Sequence, residues 1–213
     1  MGFLDSMKEM INNTEHVEEL CSYLNSIGVD ARIIDKKGPE AIVHKVPIVG
    51  NDILRFPRLG IIKVTGHEFE YVEVIRMFLG GGRRTSVPST AYYYAYVLHQ
   101  VVPKGRDPYS AIFMEKEKEP GRYYWFGNQL AMKLADDPDL LNLIEGLGMP
   151  VIKVEGIEAD QCVAMFKDQD GRATMSGVTR KYGYGDFPST SHIQLYDLIA
   201  KHIKEMGSSQ SKQ

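Results

Sequence analysis

Three glycines and two arginines follow one another in residues 80–84. Consecutive glycines can adopt the positive φ angles that turn successive backbone N–H groups toward one point, and guanidinium groups beside them complete an anion site. Arg83 and Arg84 suit this role because arginine binds both oxygens of a phosphate or carboxylate at once. The alternative is a flexible hairpin loop with solvated arginines, because the segment lacks the Lys-Ser/Thr ending of a phosphate-binding P-loop.

A second basic segment, residues 179–192, precedes the last predicted helix. Basic side chains interleaved with aromatic rings can hold a phosphorylated planar ligand or single-stranded nucleic acid, and a helix N-terminus favours anions. The alternative is a glycine-hinged loop whose serines cap the helix. One hypothesis is that residues 80–84 and 180–185 share an anion. The predicted ligand-binding residues are Arg83, Arg84, Arg180, Lys181, Tyr182 and His192.

Two groups of histidine and carboxylate residues are candidates for proton transfer. The first comprises His67, Glu68 and Glu70, and the second comprises Ser191, His192 and Asp197. Either group supplies a general acid–base pair if the fold brings its members together. The alternative is a structural role at a turn or a helix cap. The sequence alone therefore assigns no catalytic residue.

The six histidines and two cysteines do not form a metal-binding motif. No His-Glu-x-x-His sequence occurs, and Cys21 and Cys162 are far apart in the chain. We therefore expect no metal site and no cofactor. Each cysteine lies within an apolar periodic segment, which predicts reduced, buried thiols in a reducing compartment.

The composition is typical of a soluble globular protein, with 213 residues, 43% hydrophobic and 25% charged. A net charge of −3 gives no global attraction for a phosphate backbone, so nucleic acid is not an expected partner. No apolar segment is long enough to cross a bilayer, and the N-terminus lacks the apolar core of a signal peptide. We expect a cytoplasmic protein that does not enter a membrane. Composition does not predict the oligomeric state.

Apolar residues recur at helical spacing near the N-terminus, in residues 3–11 and again in residues 17–27. Gly28 suits the position just after a helix. This pattern predicts either two helices or one kinked helix. The first stripe either packs on the domain or lies on a membrane surface, and its few basic residues favour packing.

Two further helical regions are predicted. Residues 128–147 form the middle one, interrupted near residues 136–139, where Asp136 or Asp137 caps a second helix that begins at Pro138. The last helix follows Ser191 and carries an apolar stripe through Met206. A polar tail, residues 207–213, is expected to be disordered.

Between the helices, β-branched and aromatic runs bounded by turn residues predict strands. Residues 68–78 are ambiguous, because Thr65 and Glu68 fit a helix-capping box, whereas Val72, Val74 and Ile75 favour the strand that we prefer. The predicted strands comprise residues 29–34, 41–49, 60–65, 68–78, 90–102, 110–115, 122–126, 150–154, 160–167 and 172–176.

Aromatic residues are concentrated in two of these strands. The strand at 90–102 is apolar on both of its faces, so we expect it to be central in the sheet and covered on both sides. The aromatic side chains form either the core or the lining of an apolar ligand cavity between sheet and helix. They are Tyr92, Tyr94, Tyr96, Tyr123, Tyr124 and Trp125.

An offset of 120 residues aligns Leu20 with Leu140 and Gly28 with Gly148, so a pseudo-repeat of residues 19–43 and 139–163 is an open hypothesis. We predict an α+β fold in which N-terminal, middle and C-terminal helices pack on a largely antiparallel sheet system. Residues 1–206 are expected to form a single compact domain. The favoured function is a non-catalytic module that binds a partner protein or small ligand; the alternative is an enzyme acting on an anionic small molecule.

Overall fold

A computed structural model of the chain has helices packed on an antiparallel sheet, which confirms the predicted α+β class. It describes residues 14–34, 58–79, 89–98, 108–149, 151–157, 172–177 and 187–210. The helices are α1 (Glu15–Ser26), α2 (Gln129–Ala135), α3 (Pro138–Gly146) and α4 (Thr190–Gln210). The strands are β1 (Asp30–Ile33), β2 (Arg58–Thr65), β3 (Tyr71–Leu79), β4 (Ser89–Leu98), β5 (Ala111–Glu115), β6 (Tyr123–Gly127), β7 (Ile152–Ile157) and β8 (Arg172–Gly177).

The described strands form one eight-stranded sheet in the order β1-β2-β3-β4-β8-β7-β5-β6. Every neighbouring pair is antiparallel. The aromatic strand β4 lies inside the sheet between β3 and β8, and its residues 94–98 are all buried. The prediction that this strand is central and covered on both sides is therefore confirmed.

One face of the sheet carries the helices. Tyr96 of β4 stacks on Tyr196 of α4 with ring centroids 3.8 Å apart, and Phe69 meets the ring of Tyr96 edge-on at 5.2 Å. At Gly60 of β2 the helix α1 comes so close that an added Cβ would lie 2.9 Å from a Val17 methyl group. A residue larger than glycine would therefore push α1 away from the sheet.

The opposite face of the central strands is buried as well. Glu73 of β3 is fully buried there and lies beside Ile61 of β2 and Ala95 of β4, which are also buried. Two-sided burial explains why β4 is apolar on both faces.

The break between α2 and α3 lies where the sequence predicts it. The side chain of Asp137 accepts hydrogen bonds from the backbone N–H groups of Asp139 and Leu140, at 2.9 and 3.1 Å, and Pro138 begins the helix. Proline suits this first position because its missing N–H has no partner within a helix. Asp137, rather than Asp136, is therefore the capping residue.

Two helix ends that lie 120 residues apart have the same geometry. Gly28 after α1 and Gly148 after α3 have φ angles of +89° and +75°, a conformation that favours glycine. The residue after each glycine donates its N–H to the equivalent carbonyl of its helix: Val29 donates to Leu24, and Met149 donates to Ile144, each at 3.0 Å. A duplication of residues 19–43 and 139–163 remains a prediction.

Residues 71–79 form strand β3, which confirms the preferred interpretation of the ambiguous segment. Strand β1, within the predicted strand at 29–34, pairs with β2. The predicted strands at 41–49 and 160–167 and the helical stripe at 3–11 lie outside the described residues.

The C-terminal helix is longer than predicted. The sequence placed the start of a disordered tail at Gly207, but α4 continues through Gln210. The hydroxyl of Ser208 donates to the carbonyl of Lys204 at 2.9 Å, and Met206 and Gly207 are buried, so the helix packs on the protein as far as Gly207. This contact outweighs the poor helix propensity of glycine and serine, which guided the prediction.

Candidate functional site

Most of the predicted ligand-binding residues lie outside the described part of the chain. These are Arg83, Arg84, Arg180, Lys181 and Tyr182, so the shared anion site remains a prediction. His192 lies in the first turn of α4. Its Nδ1 is 2.8 Å from the hydroxyl of Ser189 and accepts the Ser189 N–H at 3.2 Å. These contacts fit the structural alternative, a role at the start of the helix, while the ligand-binding role of His192 stays a prediction.

In the structure, the histidine of the first acid–base group pairs with the aspartate of the second group. His67, in the turn between β2 and β3, lies 2.6 Å from Asp197 of α4, measured from Nδ1 to Oδ2. The other carboxylate oxygen of Asp197 accepts the backbone N–H of Glu68 at 2.8 Å. The sequence had proposed His67 with Glu70 and Asp197 with His192; the observed pair takes one member from each group.

A second contact joins the same turn to α4. The ammonium group of Lys204, two helical turns after Asp197, lies 2.9 Å from a carboxylate oxygen of Glu68. The turn itself depends on Gly66, which has a φ angle of +81°. Asp197 and Lys204 of α4 therefore hold the β2–β3 turn against this helix through two separate contacts.

The His67–Asp197 pair has the form of a carboxylate orienting a histidine, an arrangement that general bases use. Asp197, however, also holds the backbone of the turn, and the His67 ring stacks on Phe69 at 5.6 Å between centroids. Among the described residues, no serine or cysteine hydrogen-bonds to His67. The geometry therefore suits a structural clamp more closely than a catalytic dyad.

A second histidine–carboxylate pair joins α4 to the α2–α3 junction. His202 Nε2 lies 2.7 Å from Oδ2 of Asp137, the residue that caps α3. Burial raises the pKa of Asp137, but the hydrogen bonds from His202, Leu140 and Asp139 outweigh it and leave the pKa below its usual value. The two pairs hold α4 against different parts of the fold.

The outer face of strands β5, β6 and β7 carries exposed apolar side chains. The strands alternate, so Phe113, Trp125 and Ile152 point into the core while the intervening side chains point outward. Phe126 is 62% exposed, which is unusual for so large an apolar side chain. We call this face the outer surface; its apolar side chains are Ile112, Met114, Tyr124, Phe126 and Val151.

The outer surface reaches the edge of the described sheet, where β6 is the last strand. Edge strands in native proteins are commonly kept short or carry charged residues or proline, which discourage pairing with other chains. Strand β1, at the other end, follows this rule with four residues that include Asp30 and Arg32. Strand β6, Tyr-Tyr-Trp-Phe-Gly, has no charge and no proline. An unprotected aromatic edge is typical of an interaction site.

Sequence reasoning identified β6 as a strand but not as a surface. Its residues are aromatic at four successive positions, so alternation does not reveal which ones face the core. The structure places Trp125 inward at 9% exposure and Tyr124 outward at 40%. The aromatic residues, for which the sequence suggested either a core or a cavity lining, have different positions. Tyr94, Tyr96 and Trp125 lie in the core, and Tyr124 lies on the surface. The register of β5 and β6, which sets Trp125 opposite the buried Phe113, reveals this difference.

Two other kinds of site are absent from the described segments. None of their side chains form a cluster of three or more histidine, cysteine or carboxylate residues able to hold a metal ion. None of their helices has the length and apolar character needed to traverse a bilayer. A comparison of the chain with protein-family models, curated proteins and solved structures found no significant match. Function must therefore be inferred from the sites themselves.

Proposed function

We propose that the protein is a non-catalytic module that binds a partner protein through the outer surface of β5, β6 and β7. The observation that carries this proposal is the exposure of Met114, Tyr124, Phe126 and Val151 beside β6, which is an edge strand of the described sheet. Small-molecule sites are concave, whereas this surface is the face of a sheet, so a protein is the better fit. We further propose a cytoplasmic location, because Cys21 is a buried free thiol.

The energetic argument rests on the aromatic side chains. Tyr and Trp are enriched among the residues that contribute most to protein interfaces, and apolar surface gains free energy when a partner removes it from water. Covering the exposed part of Phe126 alone contributes on the order of 1 kcal/mol. Tyr124 adds a hydroxyl group that can hydrogen-bond at the rim.

Site-specific photo-crosslinking tests this proposal. Phe126 is replaced by p-benzoylphenylalanine in cells that make the protein, and Met132 is replaced in the same way as the control. Met132 is 71% exposed on α2 and lies outside the outer surface. We expect position 126 to crosslink a defined protein, which can be a second copy of this chain, and position 132 not to. Equal products at the two positions would contradict the proposal.

The alternative function, an enzyme acting on an anionic small molecule, has one observation in its favour. His67 lies 2.6 Å from Asp197, so a carboxylate orients a partly exposed imidazole. The arginines that would bind the anion, Arg83 and Arg180, lie outside the described residues. This alternative is tested by the anion-binding experiment described in the Discussion.

A further inference from the structure

We propose that the partner bound at the β6 edge is a second copy of this chain, with the two β6 strands antiparallel about a two-fold axis at Trp125. This inference rests on the proposed function, because it uses the same surface. An edge strand pairs readily with another strand, since its outward N–H and C=O groups are available for a ladder. A symmetric pair is the commonest arrangement among protein dimers.

The sequence of β6 is self-complementary in this register. Centring the pair on Trp125 sets Tyr124 opposite Phe126 of the second copy, and the reverse pairing follows from the symmetry. Both side chains lie on the exposed outer surface, so the faces of the two sheets match. Aromatic pairs directly across two strands stabilise a sheet.

The ends of the strand also match. The same register sets Tyr123 opposite Gly127 of the second copy, so a half-buried ring lies across from a residue that has no side chain. Gly127 has to be glycine, because its φ angle is +144° and an added Cβ would collide with the Ser110 carbonyl oxygen. A large residue at position 123 therefore faces a small one that cannot be replaced.

The charges permit self-association. Strand β6 has no ionisable acid or base among its five residues except tyrosine, and Arg122 beside it lies opposite the uncharged Asn128 of the second copy. The β5–β6 tip, residues 115–122, balances three acidic with three basic side chains. Within it, Glu119 contacts both Lys116 and Arg122. No like charges oppose each other across the paired strands.

The size of the contact predicts a weak dimer. Five residues extend about 17 Å along a strand, so the contact buries less than the roughly 800 Å² per partner of a standard interface. Interfaces of that size are typically weak and transient. We therefore expect a dimer that forms in a concentration-dependent way rather than a permanent one.

Sedimentation velocity on the full chain tests the proposal, over concentrations from about 1 µM to about 1 mM, where weak interfaces are populated. We expect wild type to shift from monomer to dimer across this range. The double variant Tyr124→Lys, Phe126→Lys is expected to weaken dimerisation at least about tenfold, because it sets like charges across the strands. The control Met132→Lys is expected to match wild type. The fluorescence of Trp125 verifies that each variant is folded.

Disulfide formation tests the register. Tyr124→Cys and Phe126→Cys are made separately in a Cys162→Ser background and oxidised alone or mixed. Directly opposite Cβ atoms are about 5 Å apart in an antiparallel pair and diagonal ones farther, so the mixture is expected to crosslink more than either variant alone. Equal crosslinking in the three samples would overturn the register.

A wild type that stays monomeric over the full range would overturn the dimer. So would a double variant that dimerises as wild type does. If wild type is monomeric and position 126 nevertheless crosslinks a different protein, the dimer fails while the proposed function stands. If wild type is monomeric and positions 126 and 132 give the same products, both proposals fail.

Discussion

His67 and Asp197 are 130 residues apart in the chain, yet Nδ1 of one lies 2.6 Å from a carboxylate oxygen of the other. The pair links the β2–β3 turn to α4, and the backbone N–H of Glu68 strengthens the link. Both side chains are mostly buried, at 19% and 25% exposure. The last helix is therefore held by polar contacts as well as by its apolar stripe.

Removing the carboxylate should destabilise the protein measurably. We expect Asp197→Ala to lower the free energy of unfolding by about 1–2 kcal/mol, because the Glu68 N–H and the His67 ring lose their acceptor. Urea denaturation followed by the fluorescence of Trp125, the only tryptophan, measures the loss. Lys201→Ala, an exposed position on the same helix, is the control. If Asp197→Ala and the exposed-site control unfold at the same urea concentration, Asp197 does not hold the turn against the helix.

The contact between α1 and β2 should show coupling between Gly60 and Val17. Gly60→Ala is expected to cost about 1–3 kcal/mol of unfolding free energy, because its Cβ would press on the Val17 methyl groups. Combining it with Val17→Ala should cost less than the sum of the single changes. Gly146→Ala is the control, since an added Cβ there meets nothing within 4 Å. Additive losses would rule out the contact.

The Asp137 cap should make stability depend on pH in acid. The pKa of the Asp137 carboxyl is lower in the folded state than in the unfolded state. The stability that this carboxylate contributes is therefore complete above the usual aspartate pKa of about 3.9, and it is lost as the pH falls through the pKa of the folded state. Asp137→Asn should therefore show a smaller loss of unfolding free energy than wild type between about pH 5 and about pH 2. Urea titrations at several pH values measure this. Asp136→Asn is the control. If the unfolding free energy of Asp137→Asn falls with pH as steeply as that of wild type, the Asp137 carboxylate does not cause the pH dependence.

The buried thiol of Cys21 should react slowly in the folded protein. Cys21 is 9% exposed, its Sγ donates to the Ala31 carbonyl at 3.5 Å, and burial raises the pKa of the thiol. In a Cys162→Ser background we expect labelling by a thiol reagent at neutral pH to be slow without urea and fast in urea. Rapid labelling of the native protein would show that α1 separates readily from β1.

The two basic loops should bind an anion together if the predicted shared site exists. Wild type is then expected to bind phosphate-bearing ligands at low salt and to release them at high salt. The double variant Arg83→Ala, Arg180→Ala should lose this binding, while Arg122→Ala, which removes an arginine from the β5–β6 tip, should keep it. Isothermal titration calorimetry with inorganic phosphate and ATP measures the difference. If the double variant binds as wild type does, the shared site does not exist.

Local signals in the sequence predicted the elements well. Asp137 and Pro138 mark the start of α3 because a cap and a proline act on the next few residues only. The glycines at 28 and 148 likewise end their helices through a backbone conformation that glycine alone adopts easily. Such effects operate over one or two turns and can be read from neighbouring residues.

Long-range relationships could not be predicted in the same way. The pairing of His67 with Asp197 requires that the β2–β3 turn lie against α4, and no periodicity in the sequence predicts that the two elements meet. The exposure of Phe126 requires that the outer face of β5 and β6 be left uncovered by the rest of the fold. Gly207 shows the opposite error: its low helix propensity predicted a tail, but packing against the protein keeps it helical.

The strand order also has a consequence for biosynthesis. Strands β1 to β4 occupy one end of the sheet in chain order, but β4 pairs next with β8, about 80 residues further along. The ribosome must therefore complete Arg172–Gly177 before β4 gains its second neighbour. Until then, β4 is an apolar strand with an open edge. We expect the β4–β8 junction to form late and to be the point at which interrupted synthesis leaves the chain prone to aggregate.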